Sequence, residues 1–447
     1  MSDIARIFST RSTLERHLDF EKALAQEQAA LGMIPEAAAR HIQDVLHVDA
    51  LDLDALFEAT QKTGFAIAPL VRQAHRLCGE AGEYFHWGAT TQDVLISTRA
   101  SQINDSLPLL AQQLKGVIKR LAELAKTYRD LPMAGRGFGG HALPITLGLK
   151  CANWLSSQLR LSRRLRDLMQ TPIEGELCGA MGTLAAFGEQ GRALQQRVLL
   201  RFGLPEQLTT ASSARDAVAG VTQFLALLTA SWSKIAHDIA TLCSTEIGEL
   251  DEPVSGAKDT SSTLPHKSNP TYCWQVMSAA TLVQQHAATM LYAMGQEQER
   301  SGQGLLEAQC VPQAFIETER AVLKLRTVLE GLTVHPARIT ANLALTRGLV
   351  CSEAVQMALA PVLGRLQAHD LVHEVCQQAA SAGLSLADAL KADARITPHL
   401  DSGRIERLTD PSHYLGQAAD IVKRVVAAAE AEQRQLTAAL KHGGGLA

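Results

Sequence analysis

The sequence predicts an all-α protein of three helical domains, with a long-helix bundle at the centre. Three observations carry that expectation. Ala and Leu supply roughly three residues in ten, and both are strong helix formers. Aromatic residues make up only 4% of the 447 residues, and strand-like runs of β-branched and aromatic side chains are hard to find. Between Ala217 and Leu250, residues Val221, Leu225, Leu228, Trp232, Ile235, Ile239 and Leu242 recur at intervals of three and four, one apolar stripe over about six turns.

Taken in order, residues 1–107 read as an N-terminal helical domain that ends near Asn104 to Pro108, after a segment rich in Gly, His and Thr. Residues 108–335 read as the central bundle, with helices expected over 108–128, 145–170, 217–250, 276–298 and 313–331. Pro144 falls just before or within the first turn of the second of these, where a missing N–H costs little. A second break falls at His335-Pro336. Residues 336–447 then read as a C-terminal domain of shorter helices punctuated by Pro361, Gly383, Pro398 and Pro411. Apolar stripes this long leave surface to cover, so oligomerisation is expected.

Composition excludes several functions. The chain is 46% hydrophobic and 20% charged with a formal net charge of -4, the balance of a soluble globular protein. No basic domain stands out, which argues against a nucleic-acid partner. No apolar stretch approaches the roughly 18 residues that span a bilayer, and the N-terminus lacks the pattern of a signal peptide. The eight cysteines include no C-x-x-C pair, so they read as free thiols in a reducing cytoplasm. Nothing points to a metal, a nucleotide cofactor or a flavin, and no cofactor is expected.

Four segments interrupt the helical background: His86 to Asp93, Gly135 to Pro144, Gly256 to Pro270, and Gln296 to Gly302. The third is the most informative. Its Gly, Ser, Thr and Pro content makes a loop between two long helices. Small residues there let backbone amides face a ligand, and Lys267 and Asn269 are suited to holding a carboxylate. Ser261 is a base only if its proton is removed, because a free hydroxyl is a very weak acid. An ordinary surface loop would share this composition.

The run Ser261-Ser262-Thr263-Leu264-Pro265-His266-Lys267-Ser268-Asn269-Pro270 resembles the signature loop of the fumarase/aspartase superfamily, G-S-S-x-M-P-x-K-x-N-P. His86 to Asp93 resembles that superfamily's H-x-G-A-T-S-Q-D segment, and Gly135 to Lys150 its R-T-x-x-Q-x-A-x-P-x-T-x-G-x-K segment. Leu18 to Ala25, Gly179 to Ala185 and Leu408 to Gly416 fit as well, so the resemblance covers nearly the whole chain. Within the superfamily it is most similar to the 3-carboxy-cis,cis-muconate cycloisomerases, with the adenylosuccinate lyases next.

The resemblance implies an all-helical homotetramer whose active sites are each built from three subunits. It implies proton abstraction next to a carboxylate of a fumarate- or succinate-like di- or tricarboxylate, with a C–O or C–N bond made or broken one carbon away. The dianion formed must be stabilised by fixed dipoles and cations. By match to the motifs, Ser261 is the general base, Lys267 and Asn269 hold a substrate carboxylate, and Thr90, Thr91 and Asp93 line the opposite wall. His86 and His141 stand as candidate catalytic groups, and Arg300 as an anion binder. Each has a bland alternative: His86 as a cap or internal hydrogen-bonding group, His141 as a packed imidazole, Arg136 as a buried ion-pair partner. His237 and His286 read as structural.

Departures from the pattern concentrate on substrate recognition. Thr260 replaces a glycine beside Ser261. Gly137 and Gly140 stand where the family's Thr and Gln would bind substrate, and Phe138 where adenylosuccinate lyases carry a histidine. The fourth segment lacks the histidine and tryptophans of cycloisomerases. The default reading is lactonisation of 3-carboxy-cis,cis-muconate. The alternatives are a C–N lyase releasing fumarate from an N-substituted aspartate, and a catalytically silent structural homologue.

Overall fold

The computed structural model describes residues 2–253, 263–264, 266–295, 298–299, 302 and 304–442. The described residues are predominantly helical, as the sequence predicts. The first helices are α1 (Asp3–Ile7), α2 (Thr10–Ala30), α3 (Glu36–Val45), α4 (Leu53–Thr63) and α5 (Ile67–Cys78). Six more helices follow, five of them long: α6 (Thr91–Thr127), α7 (Leu147–Gln170), the shorter α8 (Gly191–Arg201), α9 (Asp216–Leu242), α10 (Thr271–Ala293) and α11 (Gly304–Gly331). The chain ends with α12 (Pro336–Ala344), α13 (Ser352–Leu363), α14 (Arg365–Ala382), α15 (Leu386–Ala392), α16 (Ser402–Thr409) and α17 (Ala418–His442).

The central core forms where the periodicity places it. Every member of the α9 stripe from Val221 to Leu242 is at most 3% exposed. They pack with Leu107, Leu110 and Leu114 of α6, Leu155 of α7, Val276 and Val283 of α10, and Phe315 and Leu325 of α11. At about 1.5–3 kcal/mol for each large buried side chain, this stripe outweighs any local helix preference. Trp232 is fully buried, and its indole N–H donates to Gln158 Oε1 at 2.9 Å, so its one polar group is satisfied.

Three expectations are corrected. The break near Asn104 to Pro108 does not exist: α6 runs unbroken through it, with Pro108 inside the helix. A proline there forfeits a helical hydrogen bond, but Ile103, Leu107, Leu110 and Ala111 are all buried around it, and that packing offsets the loss. Asn104 is no linker residue either. Its side-chain amide brackets Ile173, donating to the carbonyl at 2.9 Å and accepting from the N–H at 2.8 Å.

Residues 336–447 are likewise not one packing unit. α13 to α16 build a small core around Val355, Leu359, Val375 and Ile405. α17 instead returns to the central bundle, where Val422, Ala429 and Leu436 join the main core. Its Glu432, only 2% exposed, accepts from Ser162 Oγ at 2.8 Å and Arg166 Nε at 2.9 Å on α7. The heptad-like spacing of 422, 429 and 436 was readable, but its partner was not.

The segment Gly135 to Pro144 also departs from expectation. Pro144 lies in a strand, not at a helix start: β1 (Pro132–Gly137) and β2 (Gly140–Thr146) form an antiparallel hairpin. Phe138 and Gly139 make its two-residue turn with φ of 52° and 84°, the left-handed pair that matches the strand twist. α7 starts only after it, capped by Thr146, whose hydroxyl accepts from Leu149 N at 3.0 Å. A second, shorter pairing joins β3 (Leu250–Asp251) to β4 (Thr333–Val334).

Trp232→Ala is expected to cost about 3–5 kcal/mol through the cavity it leaves and the unpaired Gln158 amide. Urea denaturation followed by far-ultraviolet circular dichroism measures it, and a loss below about 1 kcal/mol would contradict this account of the core.

Candidate active site

The polar segments are held by buried carboxylates. Glu249, fully buried just before β3, pairs with the Arg136 guanidinium of β1, whose second nitrogen lies 3.0 Å from Oε2. Asn342 of α12 donates to Glu249 Oε1 at 2.9 Å, and His335 N donates to the Glu249 carbonyl at 3.0 Å. One glutamate thus ties together the hairpin, the entry to the signature loop and the start of the C-terminal helices. Arg136 is therefore engaged as an ion-pair partner, the structural one of its two sequence readings.

Glu252 holds the other side of that loop. Its oxygens accept from Tyr272 N at 2.7 Å and Cys273 N at 2.8 Å, capping the first turn of α10 from a residue before the loop. The loop between them is closed at its base. Lys267 is exposed and Asn269 half-buried. Ser261 and Arg300, the expected base and anion binder, lie outside the described residues.

His86 sits in the first segment at a φ of 60°, its Nδ1 2.5 Å from Oε1 of Glu21 on α2. Glu21 is 1% exposed, and its other oxygen has no partner, so its charge is directed at the imidazole. Burial alone would lower the His86 pKa. The adjacent Glu21 carboxylate, with a smaller contribution from Asp93, outweighs burial and raises it. A carboxylate-oriented, partly exposed imidazole whose protonated form is favoured in this way can give a proton or hold an anion when charged.

Thr90 and Thr91 are half-buried at the start of α6. Asp93 does not line an open wall as expected. It is fully buried and accepts from Cys178 N at 2.8 Å, Gly179 N at 3.3 Å and Thr90 N at 2.9 Å. It is a positioning residue that fixes the Gly179 segment against the helix start. Burial pushes its carboxyl up to about 6, against the opposing pull of those backbone donors.

His141 of β2 lies over a cavity of about 460 Å³ lined also by Arg136, Lys150, His237, Asp238 and Glu246. Its Nδ1 is buried without a partner, and burial, then Arg136, lower its pKa, so it is a neutral imidazole at neutral pH. Lys150 forms no ion pair among the described residues, and burial lowers its pKa. Asp238 is occupied by Lys234 and by the Trp154 indole N–H at 2.7 Å. His237, read as structural from sequence, shares this cavity. His86, Thr90, Thr91, Lys267 and Asn269 do not line it. Phe138 at the hairpin tip is fully exposed.

Sequence reasoning missed Glu21, Glu249 and Glu252. Glu21 stood inside a matched N-terminal segment, but nothing in the sequence joined it to a histidine 65 residues away.

The family described as Lyase matches residues 1–284, and the one described as Adenylosuccinate lyase C-terminus matches 348–425. The chain belongs to the fumarase/aspartase lyase superfamily. It is 38% identical to the 3-carboxy-cis,cis-muconate cycloisomerase of Pseudomonas aeruginosa over 94% of this chain and 93% of that one. It is 37% identical to trans-aconitate decarboxylase 1 of Mycosarcoma maydis over 94% and 86%. Among solved structures, the 3-carboxy-cis,cis-muconate lactonizing enzyme of Pseudomonas putida superposes with a TM-score of 0.89 at 34% identity, covering 97% of both chains. This lyase or cycloisomerase thus shares its whole architecture with enzymes that act on small carboxylates.

Glu249→Ala leaves the Arg136 charge without its partner and is expected to destabilise the superfamily fold by about 3–5 kcal/mol in urea titrations, while Glu249→Gln costs less. Asp93 and His86 both have native pKa values above their unfolded ones. Asp93's contribution to stability is full below about 4 and is lost as pH rises through about 6; that of His86 is full below 6.5 and is lost above it. Urea midpoints from pH 4 to 8 should fall in both windows, with Asp93→Asn flattening the lower and His86→Gln the upper. A parent profile without either slope would contradict the assignment.

Proposed function

We propose that this enzyme lactonises 3-carboxy-cis,cis-muconate. The observation that carries the reading is the end-to-end likeness to cycloisomerases, with the His86 and His141 segments retained on rigid supports. A carboxylate of the substrate adds to one carbon of a double bond, and the neighbouring carbon, beside another carboxylate, takes up a proton. Ser261 returns that proton in lactonisation and removes it in the reverse elimination. Lys267 and Asn269 hold the carboxylate that carries the dianionic charge. His86, whose protonated form Glu21 favours, adds positive charge when charged from the side of Thr90 and Thr91, and His141 faces the substrate from the hairpin.

The site is completed by subunit association. His141 and His86 serve different parts of a single chain, and the long helices leave Trp274, Leu282, Leu291, Tyr292 and Leu323 uncovered, 38–67% exposed. A homotetramer covers these faces and brings three chains' segments together. No single helix among the described residues is long and apolar enough to cross a membrane; a cytoplasmic location fits eight free thiols.

The match to the adenylosuccinate lyase C-terminus favours a second reading, C–N cleavage of an N-substituted aspartate with release of fumarate. Ultraviolet assays of muconate consumption and fumarate release decide between them. Muconate turnover that falls about a hundred- to ten-thousand-fold in Ser261→Ala is the expected outcome. Fumarate release without muconate turnover would establish the second reading, and an unimpaired Ser261→Ala enzyme would remove Ser261 as the proton carrier.

A further inference from the structure

A second cavity of about 460 Å³ lies between α6 and the start of α11, and it carries an unbalanced charge. Three ionisable groups with settled charges meet there: Arg99, Arg215 and Glu307. Arg215 and Glu307, both buried, form a bidentate pair at 2.7–2.8 Å; the Glu307 charge favours the Arg99 guanidinium from a distance and that of Arg215 opposes it. Arg99 has no carboxylate partner among the described residues. One nitrogen donates to Gln102 Oε1 at 2.8 Å, and its guanidinium carbon lies 5.7 Å from the centre of the Phe8 ring. Those two contacts fix the guanidinium without neutralising it.

His17, which lines the same cavity, adds no charge. His17 is 3% exposed with its Nδ1 2.9 Å from Thr98 Oγ1, and burial together with Arg99 lowers its pKa to about 4, so it is neutral at physiological pH. A guanidinium held at a cavity with no carboxylate in direct contact among the described residues favours an anion there, because a charge removed from water is costly unless paired. The rest of the wall is partly apolar, with Leu95, Ile96 and Leu305. Position adds to this: Gln92, one residue beyond Thr91 on α6, opens the same cavity. A polycarboxylic acid bound near the first segment can therefore reach Arg99 with a carboxylate that branches from its chain.

We propose that Arg99 binds a third carboxylate and makes this enzyme select tricarboxylates over dicarboxylates of the same length. This rests on the polycarboxylate reading above, not on any particular reaction. The planar fork of a fixed guanidinium suits a carboxylate bidentately, and a ligand without that group leaves the charge unpaired.

Calorimetric titration of the intact enzyme with tricarballylate and with glutarate, which lacks only the central carboxylate, tests this without needing turnover. The expected result is tricarballylate at least about tenfold tighter than glutarate, with Arg99→Leu erasing that difference and leaving glutarate unchanged. Arg99→Lys should recover part of it. Leu305→Glu, at a half-exposed position that does not threaten folding, should weaken tricarballylate by placing a competing carboxylate beside Arg99. Equal affinities for the two acids, or tricarballylate binding indifferent to both Arg99→Leu and Leu305→Glu, would overturn the proposal. If neither muconate nor N-substituted aspartates turn over while the tricarballylate preference depends on Arg99, the reaction assignment fails and the subsite stands.

Discussion

The Glu249 carboxylate is the joint on which the candidate site hangs. It is fully buried and ends one long helical element's exit, opens the strand before the signature loop, and meets Arg136 of the hairpin and Asn342 of α12. Taking one carboxylate and one guanidinium out of water costs several kcal/mol each, recovered only while both are paired and hydrogen-bonded. That condition makes the joint unforgiving in geometry. The hairpin cannot shift relative to the loop entrance without unpairing a buried charge. Glu252 extends the same logic three residues on, where it holds the first turn of α10 against the loop's beginning.

Asp93 does for the first segment what Glu249 does for the second. Its oxygens gather backbone donors from Thr90, Cys178 and Gly179, and the neighbouring Ser97 hydroxyl pairs with both backbone groups of Glu176. Glu176 in turn accepts from Thr210 and Ser212. Buried acids thus organise loops that have too little apolar surface to fold by themselves. The polar groups left for chemistry, His86 above all, are mounted on this framework and tuned by it.

Much of this was legible. The α9 stripe and the long helices after it needed only periodicity, because a core-facing helix repeats its apolar side chains at a fixed interval. The motif segments were legible as residue types in order. The hairpin was not, since its strands, Pro-Met-Ala-Gly-Arg-Gly and Gly-His-Ala-Leu-Pro-Ile-Thr, lack β-branched and aromatic enrichment; they pair because Arg136 is anchored and Phe138-Gly139 turns tightly. The apparent break at Pro108 misled because proline's local penalty, about 3 kcal/mol, is smaller than the burial of its apolar neighbours. Asp93 misleads in the opposite way: its place in a matched motif suggests a ligand wall, whereas its spacing from Thr90 serves a helix start.

Sequence alone determined the helical class, the bundle's buried stripe and the superfamily to which the chain belongs. These are repeated or ordered local patterns, and each residue in them is read from its near neighbours. Only the tertiary structure decided that α17 rejoins the central core, that Glu21 raises the His86 pKa, that Glu249 claims Arg136, and that Arg99 meets no carboxylate directly among the described residues. Those outcomes depend on which side chains meet across separations of tens to hundreds of residues. Burial then fixes their energies, because a carboxylate's influence on a partner grows steeply once water is excluded between them.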